Sequence, residues 1–147
     1  MEKITNLEHT THANAGIARE WAVCRYFGIN RQAHDSGAYD RDSDVNFGDL
    51  HISVKASAFT LMSGSLCEGL TNFDDIWNLY AMRVHSNRVI YMTADYTAYM
   101  MTIDEFKMFV YMFCHTERES QKNGGTVKIR CAKETAKMLR WLEGRVA

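Results

Sequence analysis

An α/β fold is predicted by two hydrophobic patterns that interleave along the chain: apolar stripes at steps of three and four residues, and short stretches where polar and apolar residues alternate. Capping signals open the helical stripes, and glycine-containing turns bound the alternating ones. The predicted order is helix, strands, helix, strands, helix, strand, helix, with no internal repeat or linker to divide the chain into more than a single domain.

The first helix is expected from Thr11 to Phe27, where Ala13, Ile17, Trp21, Cys24 and Phe27 make one apolar face and Gly28 is the stop. Glu20 leans toward that face, and a carboxylate there needs a partner. Arg31 to Ser43 is polar and turn-prone, with room for a short strand near Gly37 to Asp40. Asp44 to Phe47 and Leu50 to Lys55 then alternate around Gly48-Asp49, a favoured two-residue hairpin turn. That turn places Phe47 opposite Leu50, Asn46 opposite His51, Val45 opposite Ile52 and Asp44 opposite Ser53. Because strand side chains alternate between faces, Asp44, Asn46, His51, Ser53 and Lys55 project from one side.

Ser57 to Gly69 reads as a loop rich in Ser and Gly, and Ser57 follows Lys55 closely enough to touch a substrate. Thr71-Asn72-Phe73-Asp74 opens the second helix, with Phe73, Ile76, Trp77, Tyr80 and Val84 as its stripe. Arg88 to Thr93 and Ala98 to Met101 are strands around a turn at Ala94 to Thr97. Thr102 and Glu105 form a capping box for a helix through Phe106, Phe109, Val110 and Phe113. An Asn123-Gly124-Gly125 turn leads into a strand from Thr126 to Cys131, and Lys133 to Glu143 is the last helix, with Met138, Trp141 and Leu142 inward.

At 147 residues the chain has the size of one domain and can bury a core without staples, and 46% hydrophobic against 24% charged residues makes it globular rather than disordered. No apolar run approaches the roughly 18 residues of a membrane span, and the start Met1-Glu2-Lys3-Ile4-Thr5-Asn6 lacks a signal-peptide core, so a cytoplasmic protein is expected. Cys24, Cys67, Cys114 and Cys131 show no CxxC or zinc-ligand spacing and are expected reduced and mostly buried. A net charge of −1 argues against coating nucleic acid through bulk charge, and is compatible with an enzyme carrying a local basic groove. Lys128, Arg130, Lys133, Lys137 and Arg140 gather positive charge near the end of the chain, either for a backbone phosphate or as a solvated face. His9 and His12 lack the convergent acids or thiols of a metal site.

A carboxylate opposite a small polar residue, with a lysine two positions on, suits phosphodiester hydrolysis. The acid can hold a divalent cation that activates water, and the ammonium can position that water or stabilise developing charge. Ser43-Asp44-Val45 followed by Ile52-Ser53-Val54-Lys55, after a helix carrying Glu20, resembles the PD-(D/E)xK, or restriction-endonuclease-like, superfamily. The resemblance implies an α-β-β-β-α-β core, a mixed sheet flanked by helices, and a DNA endonuclease that uses Mg²⁺ or Mn²⁺. It implies Asp44 as the metal-binding aspartate, Lys55 as the catalytic lysine, Glu20 as a helix acid that shares the metal, and Ser53 in the place of the second acid. For small single-domain members it also implies a homodimer on duplex DNA. His51, on the same strand face, is a candidate substrate contact beside Ser57.

Ser53 is the departure, because a hydroxyl is a poorer ligand for a hard divalent cation than a carboxylate. Two explanations stay open. Either another acid compensates, Glu20 first and Asp49 second, or the metal chemistry has been lost. In the second case the chain is a catalytically degenerate nuclease fold that binds DNA or a protein partner, such as a phage or mobile-element factor that inhibits a host defence system.

Overall fold

A computed structural model describes residues 1–29, 43–118 and 127–147; the strand expected near Gly37 to Asp40 and the Asn123-Gly124-Gly125 turn lie outside them. The described elements are β1 (Glu2–Ile4), α1 (Ala15–Tyr26), β2 (Val45–Phe47), β3 (Leu50–Ala56), β4 (Thr60–Ser63), a short 3-10 turn (Ser65–Cys67), α2 (Phe73–Arg83), β5 (Arg88–Met92), β6 (Ala98–Thr102), α3 (Ile103–Phe113), β7 (Cys114–Arg118), β8 (Val127–Cys131) and α4 (Ala136–Glu143). They build a mixed sheet in the order β1-β6-β5-β3-β2 and an antiparallel sheet in the order β4-β8-β7. In the mixed sheet only the β3–β5 pair is parallel.

Strand alternation divides the core between the two faces of the mixed sheet. Val45, Ile52, Ile90 and Met92 face α1 through Val23 and Cys24. Val89, Tyr91, Tyr99 and Met101 face the other way, against Trp77 and Tyr80 of α2, Phe106 and Phe109 of α3, and Met138 and Leu142 of α4. The molecule is therefore mixed α/β, with helices on both faces of a mixed sheet. Along the chain α1-β2-β3-β4-α2-β5 follows the expected order, but β4 leaves the mixed sheet to pair with β8, so that β3 borders β5.

Capping chemistry sets the helix ends. Asn14 accepts the Ile17 amide, so α1 begins after the Thr11 that periodicity alone indicates. At its far end the Gly28 amide bonds to the Arg25 carbonyl and the Ile29 amide to the Cys24 carbonyl, with Gly28 at φ +72, a left-handed stop that glycine adopts without Cβ strain. Asn72 and Thr135 cap α2 and α4, and Thr102 with Glu105 forms the predicted box on α3.

Three strands were not expected from the sequence: β1, β4 and β7. Within the stretch expected to be loop, Leu61 and Met62 are both buried because the pairing with β8 shifts register between Thr60 and Met62. A register shift removes the alternation by which a strand is recognised. β7 follows α3 with no intervening turn, so the chain carries no break signal there. Among the described residues no helix is long and apolar enough to cross a membrane, and all four cysteines are free, with Cys114 the one not fully buried.

Phe106 is wholly buried among the rings of Phe59, Trp77, Tyr80 and Phe109. Phe106→Ala is expected to lower the unfolding free energy by about 3–5 kcal/mol. In a urea titration this appears as a lower midpoint at an unchanged slope.

Candidate functional site

The β2–β3 hairpin has the register that its turn predicts: Val45 opposite Ile52, Asn46 opposite His51, Phe47 opposite Leu50. Gly48 sits in the turn at φ +57. Asn87, just before β5, holds the hairpin from the side: its Oδ1 accepts the His51 amide at 2.9 Å, and its Nδ2 donates to the Asp49 carbonyl at 2.7 Å. A Cβ at Gly48 would meet no atom within 4 Å, so Gly48→Ala probes backbone strain alone. It is expected to cost about 1–2 kcal/mol in thermal unfolding, and Gly48→Asn less, because Asn tolerates the left-handed region.

β2 begins at Val45, whereas β3 continues to Ala56. The Ile52 carbonyl faces the β2 side and accepts the Asp44 amide at 3.0 Å. The Val54 amide, two residues on, faces the same side beyond the end of its partner strand. Asp44 fills that place with its side chain, Oδ2 accepting from the Val54 amide at 2.8 Å, and Oδ1 remains for a ligand. Ser53 Oγ lies 2.6 Å from Ser86 Oγ, and the Lys55 ammonium stands 5.6 Å from the centroid of the Phe59 ring, within cation–π range.

Asp44, Ser53 and Lys55 line one cleft of about 260 Å³, between β3, β4 and the C-terminal end of α2. Ser43, Tyr80, Arg83 and His85 complete its polar wall, and Leu61 and Met62 give an apolar side. Burial, and then the negative charge of Asp44, push the Tyr80 phenol well above its ordinary range, so it stays a neutral hydrogen-bond donor. Asp44 is the one carboxylate among the described residues of the wall, which also carries the basic side chains of Lys55 and Arg83. Such a balance draws anions.

The other candidates do not line this cleft. Glu20 is half-buried on α1, and α1 packs against the Ile52 face of the mixed sheet, opposite the face from which Ser53 and Lys55 project. Of the expected face Ala13, Ile17, Trp21, Cys24 and Phe27, only Cys24 is fully buried, with Ala18, Ala22 and Val23 buried instead, and helical periodicity does not tell which face of the sheet the helix covers. His51 shares the strand face of Ser53, yet its Nδ1 is held at 2.7 Å by Asn46 Oδ1 over the hairpin. Ser57 is exposed at φ +52, where the chain turns out of β3, and Asp49 is exposed in the turn. Conversely, Ser43, Tyr80, Arg83 and His85 were not anticipated as site residues.

Among the described residues no group of three or more His, Cys, Asp and Glu side chains converges to hold a metal. The cleft's oxygen-bearing side chains include the Asp44 carboxylate, while the hydroxyl of Ser43 donates to Asn46 Oδ1 and that of Ser53 is bonded to Ser86 Oγ. Mg²⁺ keeps several waters and is commonly held by one or two carboxylates together with substrate phosphate. With one carboxylate, the described wall does not fit a tightly held resident cation, and Asp44 could hold Mg²⁺ or Mn²⁺ only where substrate oxygens complete the shell. No family model matches the chain, and no curated protein or solved structure is significantly similar to it.

Proposed function

We propose that the cleft seats a phosphodiester of DNA and hydrolyses it with a divalent cation held at Asp44, as the resemblance to the PD-(D/E)xK nucleases implies. The observation that carries this reading is the convergence of Asp44, Ser53 and Lys55 on one cleft, reached from two strands joined by the predicted turn. When bound, Mg²⁺ or Mn²⁺ supplies Lewis acidity, polarising the phosphate and making water acidic enough to yield hydroxide.

The chain's own groups do the rest. Asp44 offers Oδ1 while Oδ2 stays on the Val54 amide, which fixes the direction of the carboxylate. Lys55 stabilises the negative charge that grows on the phosphate oxygens. Ser53, oriented through Ser86, holds the attacking water by its hydroxyl. Arg83 and His85, at the mouth of the cleft, grip the flanking phosphates and register the duplex. The grip is sequence-independent and weakens with salt.

A second reading is favoured by the single carboxylate on the wall: DNA or an acidic protein partner is held without hydrolysis. Incubating the protein with supercoiled plasmid and with single-stranded DNA, in Mg²⁺, Mn²⁺ or chelator, separates the two. The nuclease reading expects nicked or linear product that requires the cation. Intact DNA in every condition, with the duplex still bound, transfers the cleft to the binding reading.

A further inference from the structure

We propose that Cys114 and Cys131 are a cross-strand dithiol that a peroxide closes into a disulfide, an oxidative modification site on the β7–β8 ladder. Cys114 opens β7, Cys131 ends β8, and the two are direct partners in the antiparallel pair. The Ala132 amide donates to the Phe113 carbonyl at 2.9 Å, just outside this pair, and the Cys131 amide turns the other way to the Phe59 carbonyl at 2.8 Å. Cys114 and Cys131 thus form a non-hydrogen-bonded pair, the kind in which facing Cα atoms stand about 4.5 Å apart and side chains come closest. A disulfide needs a Cα separation of about 4.4–6.8 Å, a range that pairs of this kind meet.

As direct partners in a non-hydrogen-bonded pair, the two side chains project from the same face of the β7–β8 ladder. The neighbouring Cys131 thiol, then burial, holds the Cys114 thiol well above the ordinary thiol range, against the opposing pull of the Lys55 ammonium. Cys114 is therefore a protonated thiol that reacts slowly, so closure needs sustained rather than brief exposure to peroxide. Cys114 is partly exposed and Cys131 buried, which orders the steps. The Cys114 sulfur attacks one peroxide oxygen, the O–O bond breaks, and a sulfenic acid and water result. The Cys131 sulfur then displaces the sulfenic hydroxyl as a second water and forms the S–S bond. Two thiols lose two hydrogens in all, and one peroxide becomes two waters. The product staples β7 to β8, the middle strand of the antiparallel sheet, across residues 115–130.

The test is native treatment with hydrogen peroxide, alkylation of remaining thiols after denaturation, and peptide mass spectrometry without reductant. Fully buried Cys24 and Cys67 serve as internal references. The expected result is a peptide joining Cys114 to Cys131, lighter by two hydrogens, lost on reduction and absent in Cys114→Ser. The oxidised wild type should also melt roughly 5–10 °C higher, since the link restricts the unfolded chain. The proposal is overturned if Cys131 remains alkylatable, or if Cys114 proceeds to sulfinic acid or links two molecules, under peroxide that oxidises glutathione in the same tube. The wild-type map decides the matter even if a serine variant fails to fold.

Discussion

Alanine at Lys55 is expected to slow DNA cleavage by about 10²- to 10³-fold, the scale for losing one preorganised charge that faces a developing oxyanion. Lys55 is half-buried on the cleft wall with its ammonium in cation–π range of the Phe59 ring and no ion pair among the described residues, so the fold should be nearly indifferent to loss of its charge. A surface change of this kind usually stays within about 0.5 kcal/mol. Single-turnover cleavage of supercoiled plasmid, beside thermal unfolding of the same sample, reads both quantities. Lys55→Arg should not restore the rate, because a planar guanidinium cannot occupy the place of a compact ammonium.

Asp44 has two tasks, and two substitutions separate them. Asp44→Asn keeps a side-chain oxygen for the Val54 amide and removes the charge on which the proposed cation binding depends. Cleavage should fall to background while stability is nearly kept. Asp44→Ala removes both, and a Val54 amide left without a partner is expected to cost a further 1–3 kcal/mol or so in urea unfolding. Full cleavage by the asparagine variant would make the carboxylate purely a structural support for β3.

The hairpin was legible because two short-range signals agree, the Gly48-Asp49 turn and the strict alternation on either side of it, and a slip of one residue would turn Val45 and Ile52 out of the core. What lies across from the hairpin was not legible. Arg83 and His85 reach the cleft because β5 enters the sheet parallel to β3, bringing the end of α2 past Ser53. That pairing is a long-range fact, absent from local periodicity. Glu20 lies apart from the cleft for the same reason: a helix stripe states which side chains share a face, not which side of a sheet receives them. Asp44 was found by its spacing to Ser53 and Lys55, but its bond to the Val54 amide depends on where β2 begins, which alternation marks only loosely. The Cys114–Cys131 pair was hidden because β7 itself was.

The most direct test of the cleft is a two-dimensional amide NMR titration of the protein with a short DNA duplex, with Ca²⁺ standing in for the catalytic cation. The account predicts shifts concentrated at Ser53, Val54 and Lys55 and at Val84 and His85, weakened in Arg83→Ala and by added salt. Shifts gathered on α1 around Glu20, or none at a duplex concentration that saturates binding by an independent measure, would contradict it.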